Sequence, residues 1–163
     1  MSSEADGPAR VAEAMRARGL TAPIERFADG TATALDAANA LGCELGQIVK
    51  TLVMLADGRP TAVLVAGDRQ ADTAALARLL GVSRKRLKMA SAERVLELTG
   101  YREGGVPPVG LPGEWDVIAD ESLMRFTHVW AAAGASDALF GAGTDELLAA
   151  TGAQLAAVGK VRG

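Results

Sequence analysis

The chain is poor in the residues from which most nucleophilic and metal sites are built: Cys43 is its only cysteine and His128 its only histidine. One cysteine excludes an intrachain disulfide and any cysteine-based metal cluster. One histidine, with no Gly-x-Ser-x-Gly anywhere, leaves the usual nucleophile–base pairs without members. His128, in THVWAA, reads as a strand residue, and Cys43, just after Gly42, as the filler of a small apolar gap. Aromatic residues make up only 4%, so packing must rest on Ala, Leu and Val. There is no GxGxxG or Walker loop, which makes a nucleotide-cofactor enzyme a poor fit; no cofactor and no metal is expected. No apolar run is long enough to cross a bilayer, and the first residues, MSSEADGPARVAEAMRARG, lack the apolar core of a secretory signal. The expectation is a reduced, cytoplasmic protein with no membrane partner. A formal net charge of −3 argues against general electrostatic binding of nucleic acid, DNA included. A polyanion would need a local basic patch.

What is present is the length and apolar content of one globular domain, expected to span residues 1–163, with 49% apolar and 23% charged residues. Glycines and caps punctuate it. Helices are predicted over Pro8–Arg18, from Thr33 to Leu41, from Asp72 to Leu80, over AERVLELT behind Ser91, and from Thr144 to Thr151 behind a Thr-Asp-Glu start. PIERF (Pro23–Phe27) suggests a short strand before a turn at Asp29-Gly30. IVKTLVMLA and TAVLVAG flank Asp57-Gly58-Arg59-Pro60, a strong hairpin signal. DVIAD, HVWAAA, ALFGAG and AQLAAV read as further strands, and Ser83 starts a short basic turn. Antiparallel pairs mixed with scattered helices predict an α+β domain with a mixed sheet.

Three features could carry chemistry. In IVKTLVML, alternation puts Ile48, Lys50, Leu52 and Met54 on one face, and Lys50 and Thr51 are the only polar residues of a strand otherwise apolar on both faces. A lysine there either escapes to solvent from a sheet edge or aims into a cleft that receives an anion, such as a phosphate. The second feature is GGVPPVG: Gly104, Gly105, Val106, Pro107, Pro108, Val109 and Gly110. Prolines stiffen its middle and glycines let a ligand approach its main chain. It is either a surface turn or a rigid frame of amide donors for an oxyanion or a carbonyl. The third is a stretch free of acids between Asp72 and Glu93 that contains Arg78, Arg84, Lys85, Arg86 and Lys88. It is either a solvated helix end or a phosphate-contacting patch.

Together, GCELGQIVKTLV (Gly42–Val53), GYREGGVPPVG (Gly100–Gly110) and VWAAAG (Val129–Gly134) resemble the YbaK/ProX family of aminoacyl-tRNA deacylases, relatives of the editing domain of bacterial prolyl-tRNA synthetases. The resemblance runs from about Thr31 to Gly152. It implies a mixed, largely antiparallel sheet curled into a partial barrel with flanking helices. It implies a trans-editing hydrolase that clears mischarged tRNA without a metal and with the substrate's help, the candidate being tRNA(Pro) carrying alanine or another small amino acid. Lys50 would hold the phosphate of the terminal adenosine and so serve catalysis. Gly104 to Gly110, with Gly134, would bind the aminoacyl group, and Arg84, Lys85, Arg86 and Lys88 would meet the tRNA. Partners would be mischarged tRNA and an aminoacyl-tRNA synthetase. The other reading is a non-catalytic module that binds an aminoacyl-nucleotide or a synthetase. One departure stands out: many relatives carry serine where this chain has Ala132, ahead of Ala133-Gly134.

Overall fold

The computed structural model describes residues 7–161 except 29 and 32; Asp29, the first residue of one expected turn, lies outside them. In chain order the elements are α1 (Gly7–Ala17), β1 (Ile24–Arg26), α2 (Ala34–Leu41), β2 (Ile48–Ala56), β3 (Arg59–Ala66), β4 (Arg69–Ala71), α3 (Thr73–Leu80), β5 (Leu87–Met89), α4 (Ala92–Thr99), β6 (Asp116–Asp120), β7 (His128–Ala132), β8 (Ala138–Gly143), α5 (Thr144–Thr151), β9 (Gln154–Ala156) and β10 (Gly159–Val161). Short 3-10 turns cover Leu45–Gln47, Arg84–Arg86 and Glu121–Arg125.

The local signals explain most boundaries. Thr33, Asp72 and Ser91 each accept a bond from the amide three residues on, so α2, α3 and α4 start where the side-chain caps stand. Gly42, Gly81 and Gly100 end the same helices in the left-handed conformation. The start of α5 differs from expectation: Gly143 is its N-cap, and the Thr144 hydroxyl instead donates to the carbonyl of Phe126. Asp145 and Glu146 remain in the first turn, where they favour the helix dipole. Asp57 (φ 51°) and Gly58 (φ 83°) close the β2–β3 hairpin, both with the positive φ that a tight primed turn demands. The segment AQLAAV forms the short strand β9 and then bends, and β10 follows it rather than extending it. Asp120 is the reason: this buried carboxylate accepts the amides of Val158 and Gly159, turning the chain there.

The main sheet runs β1-β8-β7-β2-β3-β6-β9, with β5 also on β2, while β4 and β10 form a separate pair. The α+β class and mixed sheet are as expected: β2–β3, β7–β8, β1–β8 and β2–β5 are antiparallel, whereas β2–β7, β3–β6 and β6–β9 are parallel. No pairing joins β1 to β9 among the described residues, so no closed barrel forms.

One detail of register matters most for the site. On one side β2 is zipped to β3 along its length, from Val49↔Ala66 to Ala56↔Arg59. On its other side β7 covers only Ile48 and Val49, and β5 only Met54 to Ala56. Residues 50–53 therefore border a split between two neighbours. The largest apolar cluster lies beside that split: Val49, Val53, Leu64, Val95, Val106, Val109, Phe140 and Leu147 pack with Val11 and Met15 of α1.

Candidate functional site

A cavity of about 290 Å³ opens at this split. Its floor is β2, which has no partner strand on this side between Lys50 and Leu52, and residues of both strand faces, from Ile48 to Val53, border it. Thr31, Thr33, Ala34 and Ala37 wall one side, Met89, Ala90 and Val95 another, and Ala132 and Leu139 a third. Glu103, Gly104 and Val106 close it from the glycine-proline loop. The two leading sequence candidates thus meet: Lys50 and the start of GGVPPVG line one cavity.

Lys50 is half-buried, and its Nζ donates to the carbonyl oxygen of Arg69 at 2.6 Å. That carbonyl belongs to the first residue of β4 and steers the ammonium without neutralising it. Beside it, the Thr51 hydroxyl oxygen is buried and has no hydrogen-bond partner among the described residues. A buried polar atom left so costs about 1–3 kcal/mol.

The rest of the loop does something other than line the cavity. Gly105 is buried; its amide donates to the Arg102 carbonyl and its own carbonyl accepts the amide of Gly134. A Cβ at Gly105 would lie 2.9 Å from the backbone of Ala135, so this residue is glycine because two chain segments touch there. Pro107, Pro108 and Val109 are buried, and Pro108, Val109 and Gly110 face a different hollow shared with Arg18, Trp115 and Thr151. Gly110 sits against Ala14 of α1, and Gly134 against the backbone of Gly7. Gly134 and the second half of the loop are therefore outside the cavity's wall, and Gly104 and Val106 are its loop contribution. No hydrogen bond to the amides of Gly104 or Val106 is found among the described residues.

The basic stretch reaches the cavity from outside. Arg84, Lys85, Arg86 and Lys88 are all exposed. Arg86 pairs with Asp57 at 2.9 Å and Arg84 bonds the Thr73 hydroxyl at 3.3 Å, whereas neither lysine has an ion-pair partner among the described residues. Lys85, Arg86 and Lys88 border a shallow hollow beside the β2–β3 turn. The strand that carries Lys88 ends at Met89, on the cavity rim and 56% exposed.

The other polar candidates are occupied elsewhere. Asp137 forms a two-oxygen contact with Arg26 at 2.8 and 3.0 Å. His128 is exposed and its ring meets Trp130 edge-on, 5.4 Å between centroids. Cys43 packs beside Ala37 and Leu139, and burial pushes its thiol up, away from the reactive thiolate. No three His, Cys, Asp or Glu side chains gather to hold a metal ion among the described residues.

Some members of the cavity wall left little trace in the sequence. Thr31, Thr33, Met89 and Ala132 come from segments far apart along the chain, and no spacing rule links them. Thr51 was visible as the second polar residue of a greasy strand. Ala132, the site of the expected departure, does border the cavity.

Comparison with known proteins agrees with this geometry. The family model of the aminoacyl-tRNA editing domain matches residues 28–150. The Proline--tRNA ligase of Citrifermentans bemidjiense is 38% identical over 102 residues, 63% of this chain but 18% of that protein. The Bacillus subtilis protein YwhH, itself uncharacterized, is 35% identical over 112 residues, 68% of this chain and 69% of its own. The chain thus spans about a fifth of the ligases it matches. Among solved structures, one that carries the provisional description of a trans-editing enzyme for prolyl tRNA synthetase superposes with a TM-score of 0.88. It is 40% identical, and the match covers 98% of this chain and 99% of that one. The match over residues 28–150, with these relatives, shows that the chain belongs to the aminoacyl-tRNA editing domain family.

Proposed function

We propose that this chain is a freestanding deacylase that hydrolyses the ester of a mischarged tRNA, with alanine or another small amino acid on tRNA(Pro) as the substrate. The observation that carries the proposal is the meeting of Lys50 with Gly104 and Val106 in one cavity. Lys50 holds the phosphate of the terminal adenosine, which fixes the ester over the floor of β2. The amides of Gly104 and Val106 donate to the carbonyl oxygen as charge develops on it. Water adds to the carbonyl carbon, the bond to the ribose oxygen breaks, and that oxygen leaves with a proton. The free amino acid and an uncharged tRNA result. The neighbouring ribose hydroxyl orients the water, in keeping with a cavity whose one carboxylate among the described residues, Glu103, sits in an exposed residue. Short aliphatic walls, Val49, Val53, Val95, Val106 and Ala132, favour a small uncharged side chain. No metal takes part in this scheme. Exposed Lys85 and Lys88 supply contacts for the acceptor end, and a synthetase is the partner that releases the substrate.

A panel of mischarged tRNAs, followed by loss of the labelled amino acid, tests the reading. The wild-type chain should deacylate one or more of them catalytically. Lys50→Ala should lower the rate at least a hundredfold while far-ultraviolet circular dichroism stays unchanged. Binding without turnover would sink the deacylase and leave an aminoacyl-nucleotide binding module; a folded Lys50→Ala protein at the parental rate would remove Lys50 from the mechanism.

A further inference from the structure

The carbonyl that receives Lys50 belongs to a segment with weak support of its own. Strand β4 pairs only with β10 and is not part of the main sheet. Between β3 and β4 the chain turns through Gly67 and Asp68, and the position of the Arg69 carbonyl depends on how that turn is held. Gly67 donates to the Ile48 carbonyl at 2.7 Å, tying the turn to the start of β2. The second tie is Asp68. Its two carboxylate oxygens accept from Arg125 Nη1 at 3.0 Å and Nη2 at 2.8 Å, and Arg69 Nη1 lies 3.0 Å from Oδ2.

Arg125 is itself fixed from three directions. Its Nε donates to the Ser122 carbonyl at 2.7 Å, and its guanidinium lies 5.1 Å from the centre of the Phe126 ring. Below it is Gly46, two residues before β2, where a Cβ would come within 2.8 Å of the Phe126 ring, 3.0 Å of Arg125 and 3.1 Å of Asp68. The fork geometry of two parallel bonds resists rotation in a way a single contact does not. A pair this exposed, with side chains 35% and 31% accessible, adds little to global stability. Its location on the turn that aims the Lys50 acceptor is therefore the informative feature. Neither residue borders the cavity.

We propose that Asp68 and Arg125 are positioning residues for Lys50: their bidentate pair holds the β3–β4 turn so that the Arg69 carbonyl orients the Lys50 ammonium toward the cavity. This rests on Lys50 being the residue that receives the substrate, but the effect on the ammonium exists without substrate. A preset donor need not search for its acceptor when the phosphate arrives.

The chain has only four lysines, Lys50, Lys85, Lys88 and Lys160, so their side-chain signals can be separated after ¹³C-lysine labelling. The test compares the ε-methylene resonances of ligand-free wild type, Asp68→Asn and Arg125→Met, with Lys50→Arg to assign the peak. The Lys50 signal should move in both variants while the other three stay, and kcat/KM for deacylation should fall about tenfold. An unmoved Lys50 signal in both variants overturns the proposal, whatever their activity. Should either single variant fail to fold, the exchanged pair Asp68→Arg with Arg125→Asp decides. It is expected to fold and to return the Lys50 signal to within the wild-type range, and a signal that stays displaced overturns the proposal. Because the resonance is read without tRNA, failure here is distinct from failure of the deacylase assignment, which the activity panel reports.

Discussion

A lysine on a buried strand is expensive unless its charge has somewhere to go. Lys50 resolves this by standing where β2 has lost its neighbour, with a backbone carbonyl to direct it and a cavity in front. Asp68 illustrates a second residue-scale effect. Its carboxyl is held below the usual carboxylate range, chiefly by the hydrogen bonds from Arg125 and further by the charges of Arg125 and Arg69. A carboxyl whose pKa is depressed in the folded state stabilises the fold above the ordinary aspartate value of about 4, and that contribution disappears as pH falls through the folded value. Thermal melts from pH 6 to pH 2 should therefore show a shallower loss of stability in Asp68→Asn than in wild type below about pH 4. A steeper loss in Asp68→Asn than in wild type would contradict the depressed carboxyl.

At the scale of elements, the glycine-proline loop is two devices in one segment. Gly104 and Val106 face the cavity; Gly105 packs against the turn between β7 and β8, and Gly110 against α1. Gly134, at φ 95°, touches the first residue of α1 so closely that any side chain would strike the Gly7 backbone. Gly134→Ala should cost about 3 kcal/mol and lower the melting temperature by about 6–12 °C. Gly113, at φ 85° with nothing within 4 Å of where a methyl group would sit, is the control. Gly113→Ala should cost about 1 kcal/mol, the backbone penalty without the collision. Equal losses in calorimetry would show that strain, not close approach, sets the Gly134 requirement.

Over the whole molecule, charge is segregated. A net −3 chain carries an exposed basic run that leads along β5 to the cavity rim at Met89. Binding of a tRNA end through this run must be salt-dependent, since each neutralised phosphate releases counterions. Lys85→Ala with Lys88→Ala should make the plot of log affinity against log salt shallower by about 1.5, with each lysine answering for roughly one phosphate. Deacylation of a short aminoacyl-oligonucleotide that lacks the acceptor stem should be little affected by the same double change. An unchanged salt slope on full tRNA would move the RNA path to another face.

Much of this protein could be read in one dimension because its signals are local. Thr33, Asp72 and Ser91 accept from amides three residues on, the glycines after the same helices donate to carbonyls three or four residues back, and the Asp57-Gly58 turn joins neighbouring strands. The motif around Lys50 was legible for the same reason: strand alternation exposes an out-of-place cation at once. The split between β7 and β5 was not legible. It depends on where two short strands from opposite parts of the chain stop along β2, which is a matter of register, and β5 itself is three residues long. Nor could composition divide the loop after Glu103 between cavity and core, because that division is set by α1 packing against Gly110 and Gly134 from more than ninety residues away. Hydrogen bonds within a turn or a hairpin are written in adjacent residues; a cavity is the space that remains when distant elements have finished packing.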